Sequence, residues 1–573
     1  MGAVTSGKAR TAGTPPTAAH RLNASTIAFR SPAHARLMFK ILQSLFPVIS
    51  MATCRRLHAR AHHRFPDSHM EAQNSVTTHF LGSGVPGLDQ VLAGGLTRDR
   101  LYLVEGEPGT GKTTLALQFL NEGARNGEAV LYITLAETAV ELRSVAQSHG
   151  WDMGGIQVEE IIPNENALDP DQQYTIFHPS EIELGTTTQR IVAAIEKYKP
   201  RRVVLDSLSE LQLLAESPLR YRRQVLALKQ YLTSRSCTTI FLDDRTALST
   251  DLQVRSVAHA VLTLELADQS YGAERRRVRV VKYRGIAFHG GAHDYKIAKG
   301  GLHVYPRLVA SASRVVSERR QLSSGLTALD HLIGGGLEEG MSTLISGPPG
   351  TGKSSLATQF IYAATQRGEA CAMFLFEESR NNMLNRCRNL GIDLTGALDS
   401  GLLTVQQIDP AELAPGQFSH AIVQAVERGV RIVVIDSLNG YLNAVPDERY
   451  LTVYLHELLT YLGQRGVVSI IVGVQQGMIG TGLTTSVDAS YIADNVIMLR
   501  YFEADGEVRQ AISVFKKRGS AHERTIRRFQ VVSGGIRVGE VLKNFHGILT
   551  GVPTYNGPDG HGGGDAPAPA AAG

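Results

Sequence analysis

The sequence predicts an α/β protein of two tandem domains, each a mostly parallel sheet flanked by helices. Three observations carry this. A glycine-rich loop occurs twice, as "GEPGTGKTT" from Gly106 to Thr114 and as "GPPGTGKSS" from Gly347 to Ser355. The approaches to the two loops also match: "LGSGVPGLDQVLAGGL" (Leu81–Leu96) precedes the first and "LSSGLTALDHLIGGGL" (Leu322–Leu337) the second. The strand-like runs of both halves, such as "VVLD" and "IVVIDS", are apolar and β-branched on both faces, as in strands covered on both sides. A chain of 573 residues is too long for one core, and an internal repeat divides it naturally.

Residues 1–75 read as a disordered basic extension. Positions 1–69 hold ten Lys or Arg and one acid, Asp67, whereas the whole chain has a formal charge of +4, so the remainder is mildly acidic. This Arg-, Ser- and Ala-rich segment fits a transit peptide, a basic arm, or a stretch upstream of a true start at Met70. Its most apolar run, Leu37–Ser50, is short and broken by Lys40, Gln43 and Pro47, so no membrane span is expected.

The first domain is placed at 76–312. It runs through strand "RLYLVEG", the first loop, helix "TLALQFLNEGARNG", strand "AVLYITLAE", strand "RRVVLDSLSEL" and a basic "VVKYRG". The second, at 313–553, repeats the series as "STLISG", the second loop, "SLATQFIYAATQRG", "CAMFLFEE", "RIVVIDSLNGY" and "VFKKRG". Residues 554–573 are Gly/Pro/Ala-rich and read as a disordered tail. Four scattered cysteines (Cys54, Cys237, Cys371, Cys387) have no CxxC spacing, which argues against a zinc site or disulfide framework and suits a cytoplasmic setting.

The pattern GxxxxGK[ST] between a strand and a helix has a mechanical meaning. Its glycines turn backbone N–H groups inward as a nest for phosphate, and the helix adds its positive end. Gly106, Gly109, Thr110, Gly111, Lys112, Thr113 and Thr114 would form one ATP cradle, and Gly347, Gly350, Thr351, Gly352, Lys353, Ser354 and Ser355 the other. Lys112 and Lys353 reach the β- and γ-phosphates; Thr113 and Ser354 offer hydroxyls to Mg²⁺. Asp206 and Asp436 end apolar strands, where a carboxylate holds Mg²⁺ through water. A residue must also orient or deprotonate the attacking water. Glu377 and Glu378 are the candidates in the second half; in the first, Ala136 aligns with Glu377 and only Glu137 remains. Lys282, Arg284, Lys516 and Arg518 hold equivalent late positions. They read either as cationic fingers from a neighbouring subunit or as charges that keep an edge strand from aggregating.

Together these residues resemble the KaiC family of RecA-like ATPases and autokinases. The match runs from about Leu81 to Tyr555, on the two loops, "FEES" (Phe376–Ser379), "IDSL" (Ile435–Leu438) and "ISVFKKRGSAHE" (Ile512–Glu523). The resemblance implies a homohexamer of two stacked rings with ATP between subunits, so that the Lys/Arg pairs act in trans. It implies a slow first-ring ATPase and a second ring that phosphorylates itself on adjacent Ser and Thr. Here Ser490 takes the Ser position and Tyr491 the Thr position, a longer side chain that a site shaped for Thr places badly. After Tyr555 the charged segment used for regulation in the family's clock members is missing, which argues against a KaiA-type activator and leaves a KaiB-type or signalling partner open.

The leading function is therefore a KaiC-like ATPase with autokinase activity in its second domain, using ATP and Mg²⁺. A RecA-like DNA motor is the alternative, but neither domain has a dense basic loop with interleaved aromatics, so DNA is not the expected partner. A nucleotide-gated scaffold without kinase activity is the third reading.

Overall fold

The computed structural model describes residues 80–161, 179–215, 217–245, 252–267, 272–310, 319–443, 451–474, 493–549 and 554–555. The basic extension and the candidate phosphorylation residues Ser490 and Tyr491 lie outside the described residues.

Each half forms a nine-stranded sheet. The first contains β1 (Leu101–Gly106), β2 (Val130–Thr134), β3 (Ile156–Glu160), β4 (Arg202–Asp206), β5 (Thr238–Asp244), β6 (Ala260–Ala267), β7 (Arg275–Tyr283), β8 (Ala292–Ala298) and β9 (Gly301–Tyr305). Their order across the sheet is β3-β2-β4-β5-β1-β6-β7-β8-β9. The first six are parallel and the last three are added antiparallel at one edge. The second sheet contains β10 (Ser342–Gly347), β11 (Cys371–Leu375), β12 (Leu403–Gln407), β13 (Ile432–Asp436), β14 (Val468–Val474), β15 (Asn495–Ala504), β16 (Glu507–Lys517), β17 (Arg527–Val532) and β18 (Gly535–Val541). Its order, β12-β11-β13-β14-β10-β15-β16-β17-β18, repeats the first strand for strand. These are two RecA-like α/β domains in tandem.

The central strands are buried on both faces because period-two alternation sends successive apolar side chains to opposite sides. In β1, Tyr102 and Val104 join the core with Phe119 of helix α1 (Lys112–Arg125) and Leu142 of α2 (Ala139–Ser148). Leu101 and Leu103 join the opposite core with Ile191 and Ile195 of α3 (Pro179–Tyr198) and Leu228 of α4 (Pro218–Ser234). The second domain repeats this with Phe360 of α5 (Lys353–Gln366) and Met383 of α6 (Arg380–Asn389) on one face. Phe418 of α7 (Pro415–Glu427) and Leu458 of α8 (Leu451–Gln464) cover the other. Helices on both faces leave the carboxyl ends of the strands open, where a parallel sheet receives its ligand.

The two domains touch through the antiparallel edge of the first. Buried Asp294 on β8 accepts a hydrogen bond from the Gly416 amide in the first turn of α7 at 2.7 Å and pairs with Arg277 at 3.4 Å. Arg307 pairs with Glu457 of α8 at 2.8 Å. Among the described residues no helix is long and apolar enough to cross a membrane. Thr554–Tyr555 pairs antiparallel with Phe545–His546. Aromatic contact between Phe545 and Tyr555 (centroids 5.1 Å apart) helps to hold them.

Candidate active sites

The loops leave the carboxyl ends of β1 and β10 and run into α1 and α5. Gly111 and Gly352, the residues just before these helices, have φ of 89° and 90°, a left-handed conformation natural only to glycine. Space is short there as well: a Cβ on Gly352 would lie 2.7 Å from Val531 Cγ2. The turn is closed by Thr110, whose hydroxyl donates to the Glu107 carbonyl at 2.7 Å, and by Thr351, which donates to Pro348 at 2.8 Å. Gly106, Gly109, Gly347 and Gly350 complete the backbone of the two nests, and Thr113, Thr114, Ser354 and Ser355 occupy the first turn of each helix.

Both loop lysines are buried and fold back over their own nests. Lys112 donates to the carbonyls of Gly106 (2.9 Å) and Glu107 (3.0 Å) and pairs with Asp244 at 2.7 Å. Lys353 donates to the Pro348 carbonyl at 2.7 Å. Burial holds the Lys353 ammonium below its ordinary range, opposed by the charges of Asp436 and Glu377. That is an electrostatic deficit a polyphosphate would relieve.

Asp436 ends β13 beside Ser354. It is buried, one carboxylate oxygen has no hydrogen-bond partner, and burial pushes its carboxyl up against the Ser354 hydrogen bond that stabilises it. A hydroxyl, a carboxylate with a spare buried oxygen and a neighbouring phosphate nest form a donor set that fits Mg²⁺, which is held by few protein ligands plus substrate oxygens. In keeping with so sparse a set, no group of three or more His, Cys, Asp or Glu among the described residues forms a dedicated metal cage. Asp206, the counterpart at the end of β4, accepts instead from Tyr132 at 2.5 Å, and Thr113 also bonds it. Its carboxyl too is pushed up by burial.

The acids after β2 and β11 differ between the sites. Glu377 is exposed and accepts from the Ser437 hydroxyl at 2.6 Å, next to Asp436. Glu378 is tied to Arg386 of α6 at 2.8 Å, and Arg386 also donates to Ser355 at 3.2 Å. In the first domain Ala136 and Glu137 stand in these places. α2 and α6 are both ten residues long with Thr138 and Ser379 as side-chain caps, so Arg386 corresponds to Val145. Glu137 therefore lacks an arginine; one of its oxygens is buried and unpartnered, and burial followed by the charge of Asp206 pushes its carboxyl up.

Lys112, Asp206 and Glu137 thus converge, as do Lys353, Asp436, Glu377 and Glu378. The late cations do not join them within one chain. Lys282 sits opposite Val261, level with Leu103, and Lys516 opposite Val496, level with Leu344. Three residues and two strand spacings put them about 14 Å from Gly106 and Gly347. Lys282 caps the Arg255 carbonyl at 2.6 Å; Arg284 caps Ser256. Lys516 caps Ala493 at 2.7 Å and Arg518 pairs with Asp494 at 3.4 Å.

Three residues that the motifs did not mark stand at the sites: Arg386, Tyr132 and Asp244. Aligning "IFLDD" with "IIVGV" across the repeat would have found Asp244, since Gly106 pairs with Asp244 and Gly347 with Val474 in identical register.

Comparison with known proteins points to one family. A family model described as "ATPase: KaiC" matches residues 81–309 and again 322–543. The chain is 29% identical over 486 residues to the circadian clock protein KaiC3 of Synechocystis sp., covering 83% of this chain and 94% of that protein. It is 29% identical over 476 residues to the circadian clock oscillator protein KaiC of Picosynechococcus sp., covering 82% and 91%. The corresponding protein of Thermosynechococcus vestitus is 28% identical over 492 residues, covering 84% and 93%.

Proposed function

The chain belongs to the KaiC family of ATPases, and on that premise we propose that it is a hexameric, Mg²⁺-dependent ATPase and autokinase of the cytoplasm, with two unequal sites. The observation that carries this reading is Glu377. It is exposed, oriented by Ser437 at 2.6 Å, and stands with Asp436 and Lys353 at the mouth of the second nest. A carboxylate so placed can accept the proton of an attacking hydroxyl, either of water or of a serine. The backbone nest and Lys353 hold the phosphates, and Ser354 with Asp436 would hold Mg²⁺, which offsets phosphate charge when bound. Lys516 and Arg518 would reach the γ-phosphate of the neighbouring subunit. Glu378, held by Arg386, orients the loop rather than taking a proton.

Ser490 is the proposed acceptor and Tyr491 the poorer one. The relatives named above are clock proteins; for this chain a signalling or timing role fits, through a KaiB-type or signalling partner. Peptide mass spectrometry after incubation with Mg-ATP tests the kinase reading. Phosphate is expected on Ser490, absent in Ser490→Ala and reduced about 100-fold in rate in Glu377→Gln. ATP consumption without any phosphopeptide leaves an ATPase alone.

A further inference from the structure

We propose that Asp244 is a catalytic carboxylate of the first site, taking there the place that Glu377 takes in the second. The inference rests on the reading that the first site hydrolyses ATP.

The carboxylates around the two loop lysines differ. The second site has Asp436 for the metal, Glu377 facing solvent, and Glu378 bound to Arg386. The first has Asp206 for the metal, Ala136 where Glu377 stands, and Glu137, one of whose oxygens is buried away from water. Of the acids that end its strands, Asp244 is the one that both pairs with Lys112 and turns its side chain to solvent. That residue ends β5, the strand directly beside β1, and pairs in register with Gly106 at the start of the nest. In the same register the second domain has Val474, which can do no proton chemistry. The two sites thus draw their free acid from different strands.

Distance favours the same assignment. An Asp244 oxygen lies 2.7 Å from Lys112 Nζ, and its side chain is 35% exposed. When a γ-phosphate takes the donors of Lys112, that carboxylate is left beside the terminal phosphate and within reach of water. The water oxygen attacks the γ-phosphorus and the bond to the β–γ bridging oxygen breaks. ADP leaves with that oxygen, and the proton of the water passes to Asp244 and on to the phosphate product.

The test uses full-length Lys353→Ala protein, in which turnover is confined to the first site, with Lys112→Ala/Lys353→Ala as the blank. Asp244→Asn and Asp244→Glu are added, and kcat, KM and the Kd of a fluorescent non-hydrolysable ATP analogue are measured with Mg²⁺. In Asp244→Asn, kcat is expected to fall about 100-fold, with nucleotide bound as tightly as before or more tightly, since a negative charge beside the phosphates is gone. Asp244→Glu should keep about a tenth of the parent rate or more. A kcat unchanged in Asp244→Asn overturns the proposal and reduces the ion pair to a clamp on Lys112. Rate lost in step with nucleotide affinity overturns it in favour of a structural role. If Lys353→Ala protein is no faster than the blank, the reading of the first site as an ATPase fails, and this inference with it.

Discussion

Asp436 shows how a site can be built against its own stability. Its carboxyl is raised by burial, followed in the same direction by the charges of Glu378 and Glu377, with Ser354 and Arg386 opposing. A carboxyl with a raised folded-state pKa contributes stability below the ordinary carboxylate range and loses it as pH rises through the folded value. As pH rises through that value, the nucleotide-free second domain acquires an unfavourable buried charge. Asp436→Asn should raise the thermal midpoint of that protein at pH 8 by about 2–4 °C, roughly 1 kcal/mol, while abolishing Mg²⁺-dependent turnover at the second site. A midpoint that falls in scanning calorimetry, or that rises equally at pH 4, contradicts this account. Much of this chemistry was readable in the sequence, because the loop lysines and strand-end aspartates lie in contiguous motifs. Asp244 and Arg386 were not marked. Asp244 meets Lys112 only because β5 lies beside β1, and Arg386 meets Glu378 only across about two turns of α6.

The loop between strand and helix is defined by what cannot be added to it. At Gly352 a side chain meets obstacles of two kinds, a φ of 90° and the close side chains of Val531 (Cγ2 at 2.7 Å) and Phe529 (Cε1 at 3.0 Å). The first belongs to the backbone and the second to two neighbours on β17. Gly352→Ala should therefore destabilise the second domain by at least about 2 kcal/mol, and adding Val531→Ala should recover only the part of the steric cost that Val531 imposes. Chemical denaturation of the two single variants and the double variant separates these contributions; full recovery in the double variant would show that φ strain is negligible. Val531 also marks what the sequence pattern gave less clearly. The parallel strands announce themselves as runs such as "IVVID", buried on both faces. By contrast β16, β17 and β18 are largely half-exposed and charged, as in "RRFQVV", and their apolar signal is weak. Yet β17 forms one wall of the second nest.

Repetition made the architecture readable: two copies of one pattern predict two sheets, and the sheets agree strand for strand. Association between chains leaves no such internal signature, and here the late cations matter. Lys516 and Arg518 face away from their own loop, held by the Ala493 carbonyl and by Asp494. If they serve catalysis, a second copy must present them to a neighbouring site. Subunit mixing tests this. Lys353→Ala protein has no working second loop, and Lys516→Ala/Arg518→Ala protein has no working finger, so each alone should be inactive at the second site. Mixed at equal amounts and allowed to exchange, a site is complete wherever an intact loop faces an intact finger, at about a quarter of the interfaces. Autophosphorylation and second-site ATPase should then return to about a quarter of the wild-type rate. If the cations acted within their own chain, no mixture could assemble a complete site, and activity would stay at the level of the separate variants.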